Sequence, residues 1–255
     1  MTMDLPKAKM KALILVAGYA TRLYPLTKYY PKALLAVGKR PMVNYILDKL
    51  GKIDEIDEIM LVTNSKFFPI FKEWKRKQKT KKRISLIDDL TKSNETRRGA
   101  VGDIDFTLKK RKLKDGLLVV GGDNLFEQDL AGFISFSRKK KGSPLVGVFD
   151  LKDKVNAKHY GVIKLDKENR VIDFEEKPRR PKSTLVGMCL YYFPRGTLVF
   201  IKEYLKTKVQ TRDATGSYID WLRKKIPVYG FIFRGKWFDI GNFQYLDEAS
   251  KAFVK

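Results

Sequence analysis

The chain has 255 residues, 44% of them hydrophobic, with 53 lysines and arginines against 29 aspartates and glutamates. That length suits one large domain or a domain with an appended lobe. The composition excludes a disordered polymer, a disulfide scaffold (Cys189 is the single cysteine) and a membrane span, because no apolar run nears the ~20 residues a span needs. A net charge of +24 draws polyanions, so nucleic acid and phosphorylated substrates both have to be weighed.

MTMDLPKAKM at the N-terminus lacks the apolar centre of a secretory signal, and a cytoplasmic location is expected. Residues 11–17 (KALILVA) then read as a buried first strand. Further apolar runs at 58–64, 83–88, 116–122 and 143–150 read as strands, separated by helical patterns at 41–50, 65–77, 97–110 and 129–140. Pro69 makes the second helix start late or kink. Near-continuously apolar strands alternating with helices predict a mostly parallel sheet covered by helices on both faces. Ligands bind such sheets at the carboxyl ends of the strands, where Gly18, Asn64 and Gly122–Asp123 fall.

From Tyr160 the pattern turns β-rich. Segments 160–166, 170–178 and 183–194 predict a small mixed sheet, 197–205 and 214–225 are amphipathic helices, 227–235 is a strand, and a closing helix begins near Phe243. No internal repeat or long linker divides the chain. Basic runs at 72–83, 109–114 and 138–141 follow helical patterns and lack interleaved aromatics, which favours solvated helix ends over a nucleic-acid groove. Cys189 sits in an apolar strand (LVGMCLYYF) and reads as core rather than as a nucleophile.

Three strand ends carry the chemistry. The first follows the opening strand as AGYATRLYPLTKYYPK. Gly18 allows close backbone approach, and successive loop N–H groups can form an anion-binding concavity. Arg22 adds a planar fork of donors and Lys32 a point charge, while Pro25 and Pro31 stiffen the loop. Alanine at position 20 would cost roughly 1–2 kcal/mol if that residue were left-handed. Elsewhere, Asp123 and Asp239 each follow a buried strand. Either alone could be a cap or turn former. Together with Arg22 and Lys32 they suit a magnesium ion completed by phosphate oxygens and water.

The string from Ala17 to Val37 resembles the signature of the sugar nucleotidyltransferases, G-G-x-G-T-R-L-x-P-L-T-x-x-x-P-K-x-x-x-P-V. It matches at Gly18, Thr21, Arg22, Leu23, Pro25, Leu26, Thr27, Pro31, Lys32 and Val37, and departs at Ala17, Ala20 and Ala36. The resemblance runs through nearly the whole chain. It implies a Rossmann-like, GT-A-like fold carrying a small β-rich lobe on the sugar side. The whole chain is then one nucleotidyltransferase domain, with a nucleotide-binding half over about 1–150 and a sugar-phosphate half over 151–255. It implies Mg²⁺-dependent transfer from an NTP, dTTP or UTP, to a sugar 1-phosphate, with glucose 1-phosphate as the first candidate.

On the same ground Ala17, Gly18, Tyr19, Ala20 and Thr21 would form the nucleotide turn, with Asn94 and Gly99 standing where the base is read. Arg22, Lys32 and Asp123 would be catalytic, and Asp123 and Asp239 would hold the metal. Asn124, Gly161, Glu176, Lys177 and Trp237 would bind the sugar phosphate. Without the resemblance, Glu176–Lys177–Pro178 would be a surface ion pair before a turn, and Trp237 could equally plug the core. The lone His159 is assigned a supporting or surface role. The alternatives are a cytidylyl- or guanylyltransferase, a silent regulatory homologue and, further off, a basic nucleic-acid-binding protein. No membrane partner or specific nucleic acid is expected, a homo-oligomer is allowed, and a chain without a β-helix or acyltransferase extension is expected to carry the transferase alone.

Overall fold

The computed structural model describes residues 9–140, 142–207 and 215–253. Strand β1 (Met10–Leu15) is apolar on both faces, as a strand between two neighbours under helices must be. After it come the two-residue strands β2 (Ala36–Val37) and β3 (Arg40–Pro41), then α1 (Met42–Gly51), β4 (Ile56–Thr63), α2 (Phe68–Arg76) and β5 (Arg83–Asp88). Helix α3 (Ala100–Arg111), β6 (Gly116–Gly121), β7 (Asn124–Phe126) and α4 (Ala131–Lys139) complete the first half. β1 pairs in parallel with β4 and β6, and β4 in parallel with β5. The carboxyl ends of these four strands therefore share one edge. α2 starts late, with Pro69 in its first turn, where a missing N–H is harmless.

The second half contains β8 (Leu145–Asp150), α5 (Lys154–Ala157), β9 (Gly161–Leu165), β10 (Val171–Glu176) and β11 (Leu185–Phe193). Helices α6 (Val199–Lys206) and α7 (Thr215–Arg223), strands β12 (Tyr229–Phe233) and β13 (Trp237–Asp239), and helix α8 (Phe243–Ala252) follow. The predicted helix over 214–225 begins at Thr215; Ala214 lies outside the described residues. The β-rich segments extend the same sheet: β11 pairs antiparallel with β6, β8 and β9, and the order is β10-β9-β11-β6-β1-β4-β5, with β8 and β12 branching from β11. One apolar cluster lies under α1, α2 and α4, around Ile46, Phe71, Phe133 and Phe233. Another lies under α3, α6 and α7, around Ile104, Ile201, Tyr218 and Leu222.

Four strands have no signal in the sequence. β2 pairs with β3, and β7 pairs antiparallel with β13, apart from the main sheet. Two or three residues are too few to show an alternation. The β7–β13 ribbon matters most, because Asp239 lies opposite Asn124 and therefore beside Asp123.

Candidate active site

The turn after β1 is built from below. Val16 N donates to Val62 O at 2.9 Å, and the buried Asn64 amide donates to Ala17 O at 2.8 Å while accepting from Phe67 N at 3.0 Å. Asn64 was expected to line the cleft; instead both ends of its amide are used to hold the loop. Ala17 is buried, whereas Gly18 is exposed with open space above it. Ala20 is left-handed (φ 49°, ψ 45°) and opens a 3₁₀ turn over Thr21–Leu23. Its carbonyl accepts from the buried Thr27 Oγ1 at 2.7 Å and from Leu23 N at 3.0 Å, which fixes where Thr21 and Arg22 stand. Because Cβ at a left-handed position costs roughly 1–2 kcal/mol, Ala20→Gly should raise stability by about 0.5–1 kcal/mol after the entropy lost by glycine. A urea melt with an unchanged or lower midpoint would contradict this.

Tyr19 turns inward. It is buried, its hydroxyl lies 3.5 Å from Thr91 Oγ1, and its ring packs on Phe67, so only its main chain faces the turn. Burial raises its phenol above the ordinary value. The Tyr19–Thr91 contact joins the β1 turn to the loop after β5, which carries Asn94 and Gly99. Asn94 O accepts from the Arg97 guanidinium at 2.8 Å. Gly99 has φ 76°, which favours glycine, and its carbonyl accepts from Asp103 N to begin α3.

The carboxylates meet at the end of β6. Gly122 N donates to Leu15 O at 2.9 Å, and a Cβ on Gly122 would lie 2.4 Å from Val16 Cγ1, so the close approach to β1 requires glycine. Next, Asp123 O accepts from Ile240 N at 3.1 Å. Lys32 Nζ donates to Asp123 Oδ2 at 2.6 Å and to Ile240 O at 2.8 Å. Burial and then the charge of Asp123 push the Asp239 carboxyl up from 3.8 to about 6, against the lowering effect of Lys32, Arg22 and Lys177. Two neighbouring carboxylates sharing one lysine, with Asp239 held so far from its ordinary value, are short of positive charge. These hard oxygen donors fit a magnesium ion. Among the described residues no group of three or more His, Cys, Asp or Glu could hold a metal, so further ligands would have to come from substrate and water.

Beside this pair lies a cavity of about 280 Å³ whose wall includes Arg22, Gly161, Glu176, Lys177 and Asp239. The β9–β10 ladder sets Glu176 opposite Gly161, and one step on, Lys177 N donates to Tyr160 O at 3.0 Å. Lys177 is itself left-handed (φ 46°), with its ammonium 4.0 Å from Glu176. Burial raises the Glu176 carboxyl, against the lowering charge of Lys177. A Cβ on Gly161 would lie 2.4 Å from Phe174 Cζ, and one on Gly216 would lie 2.3 Å from Glu176 Oε2. Both glycines thus keep the Phe174 ring and the Glu176 carboxylate in place. Gly161→Ala should weaken the binding of a ligand in this cavity by roughly 10–10²-fold, because a small displacement of a binding group costs that much. A binding titration with unchanged affinity would refute the role of this contact.

Three predicted or discounted residues stand elsewhere than expected. Asn124 is buried and off the cavity wall: its amide donates to Met188 O at 2.7 Å and accepts from Trp237 Nε1. Trp237 packs between Phe149 and Tyr160 at 5.4 and 5.3 Å and is also off the wall, so the plug reading describes its contacts. Cys189, read as core, reaches the cavity wall from a left-handed position (φ 41°) where the β8–β11 register slips. Burial, then Asp123 and Asp239, push its thiol up to about 12, so it stays protonated and unreactive. The wall also contains His159, Thr215 and Gly216. Gly216 could have been suspected from ATG opening a helix, and His159, given a supporting or surface role on the sequence, lies on the wall while remaining exposed.

Residues 11–255 match the family described as nucleotidyl transferase. The chain is 30% identical over 247 residues to the bifunctional protein GlmU of Methanocaldococcus jannaschii, covering 95% of this chain and 54% of that protein. It is 28% identical over 236 residues to a bifunctional sugar-1-phosphate nucleotidylyltransferase/acetyltransferase of Sulfurisphaera tokodaii, covering 91% and 53%. The chain thus spans about half the length of these curated relatives. Among solved structures, a UDP-glucose pyrophosphorylase complexed with UDP-glucose superposes with a TM-score of 0.79 at 20% identity, covering 96% of this chain and 98% of that one, a likeness of fold.

Proposed function

The chain belongs to the nucleotidyl transferase family, and from that premise we propose that it transfers a nucleotidyl group from an NTP to a sugar 1-phosphate, releasing pyrophosphate. The observation that carries this reading is one cavity presenting Arg22, Glu176, Lys177 and Asp239, with the Lys32–Asp123 pair alongside. The pyrimidine triphosphates dTTP and UTP and the acceptor glucose 1-phosphate are the first candidates, because Gly122–Asp123–Asn124 has the form found among thymidylyltransferase-like members of the family.

A phosphate monoester has a second pKa near 6 and is a dianion at neutral pH, so its oxygen needs no general base. Lys177 holds that phosphate and Glu176 accepts from sugar hydroxyls. The acceptor oxygen attacks the α-phosphorus of the NTP in line, the P–O bond to the β-phosphate breaks, and pyrophosphate leaves with the electron pair. Arg22 steadies the triphosphate, and Lys32 offsets charge at the α-phosphoryl group. Asp123 and Asp239 would hold Mg²⁺, which supplies charge neutralisation of the phosphates when bound.

The test is pyrophosphate release with glucose 1-phosphate against dTTP, UTP, CTP, GTP and ATP. Release with a pyrimidine triphosphate, abolished by EDTA and restored by Mg²⁺, is the expected outcome. Release only with another triphosphate would move the base assignment. Silence across the triphosphates and a panel of sugar phosphates would overturn the enzymatic reading in favour of a regulatory homologue.

A further inference from the structure

The tip of the Phe174 ring is held between two glycines from different elements. Cβ atoms placed on Gly161, in β9, and on Gly216, in the first turn of α7, would lie 2.4 and 2.5 Å from Phe174 Cζ, so both positions are kept bare for the ring. The backbone beneath it is fixed as well. Phe174 lies opposite Ile163 in the β9–β10 ladder, and its N–H donates to Asp173 Oδ1 at 3.0 Å, which also accepts from Arg223 Nη2 at 3.3 Å. The side chain is buried in the apolar cluster under α3, α6 and α7. A ring packed on all these sides does not swing aside for a ligand.

This ring separates two cavities. One is the cavity of about 280 Å³ that presents Arg22, Lys177 and Asp239. The other, of about 270 Å³, lies between β10, α6 and α7, and Phe174 and Glu176 are the two residues common to both linings. Tyr204, Ser217 and Trp221 wall the second cavity, with the Tyr204 and Trp221 rings 5.7 Å apart. Its remaining charged lining groups, Asp220 and Lys224, are paired at 2.6 Å, so among the described residues this lining offers a phosphate no unpaired cation. The space suits an uncharged group. A ligand anchored by Lys177 and Glu176 in the first cavity would have to pass a substituent through the Phe174 ring to reach it.

We propose that Phe174 is a specificity-determining residue of the acceptor site: its ring confines acceptors to sugar 1-phosphates with no bulky substituent at the position facing Glu176. This deepens the proposed function and rests on it for the identity of the acceptor. The discrimination comes from a clash built against larger compounds, not from an added contact to the smaller one. Removing the ring tip joins to the first cavity a space of nearly its own size.

The test is calorimetric titration with glucose 1-phosphate and with three analogues in which an N-hexanoylamino group replaces the hydroxyl at C2, C3 or C4. In the parent protein, the analogue substituted at the position facing Glu176 should bind roughly 10–100-fold more weakly than glucose 1-phosphate, the cost of overfilling a packed wall. Phe174→Leu keeps the buried face filled but lacks the ring tip, and should bring that ratio to within about threefold. Adding Ser217→Phe to Phe174→Leu fills the second cavity from its far side and should restore the discrimination. Equal binding of all three analogues by the parent overturns the proposal, as does a ratio that Phe174→Leu leaves unchanged in a variant that melts as the parent does. If pyrophosphate release persists in either case, the proposed function stands without it. The expected ratios together with silence across the nucleotide panel uphold the size limit and overturn the transfer reaction instead. Binding of none of the four compounds by the parent overturns both.

Discussion

Asp239→Asn is expected to lower nucleotidyl transfer by about 10²–10³-fold while making the metal-free protein more stable near neutral pH. The loss of rate follows from removing one of two carboxylates that would hold the metal. The gain in stability follows from the shifted carboxyl. Its folded value, about 6, lies above the ordinary 3.8, so the folded state holds the proton more tightly than the unfolded chain does. The stability that this proton provides is complete below about pH 4 and is lost as pH rises through about 6. Above that, the folded protein carries an ionised carboxylate that asparagine removes. A shift of this size is worth at most about 3 kcal/mol, and partial exposure with Lys32 nearby reduces that to about 1–2 kcal/mol. Chemical denaturation in EDTA at pH 5 and pH 8 gives the test: the advantage of the variant should grow with pH. A variant less stable than the parent at pH 8, or one keeping most of its turnover, would refute the assignment.

Lys32→Met should have the opposite effect on stability and the same effect on rate. Its ammonium is bonded to Asp123 and to Ile240 O, and Asp239 depends on it as well. Methionine leaves two carboxylates facing each other without their cation. Side-chain exposures of 17% and 29% place the pair between buried and superficial, so about 1–3 kcal/mol should be lost, less than for a fully buried pair. Turnover should fall by about 10²–10³-fold because charge on the α-phosphoryl group is no longer offset. Combining the two substitutions should return part of the stability and none of the rate, since the groups are directly coupled. Additive stabilities in a double-mutant cycle would show that Lys32 and Asp239 do not share a field.

The elements that build the candidate site were readable for a physical reason: each is a polar break at the end of an apolar strand. Gly18, Gly122–Asp123 and the KWFDIG segment all stand out against buried runs, and the structure brings Arg22, Lys32, Asp123, Glu176, Lys177 and Asp239 to one place. The chain-order alternation likewise revealed the parallel half of the sheet. Residues whose role depends on a distant partner could not be read. Asn64 looks like any strand-end asparagine until Ala17 O and Phe67 N are placed around it. Asn124 and Trp237 are a matched donor and acceptor separated by most of the second half of the chain.

The β7–β13 ribbon also sets an order of assembly. All of the main-sheet strands, from β1 to β12, precede β13 in the chain, so during synthesis the sheet can form while Asp123 still lacks its counterpart. Ile240, whose carbonyl helps anchor Lys32, emerges at the same moment as Asp239. A ribosome-bound chain displaying everything through β12 would be folded in outline and chemically mute. Competence would then come in a single late event, when three residues zip onto three.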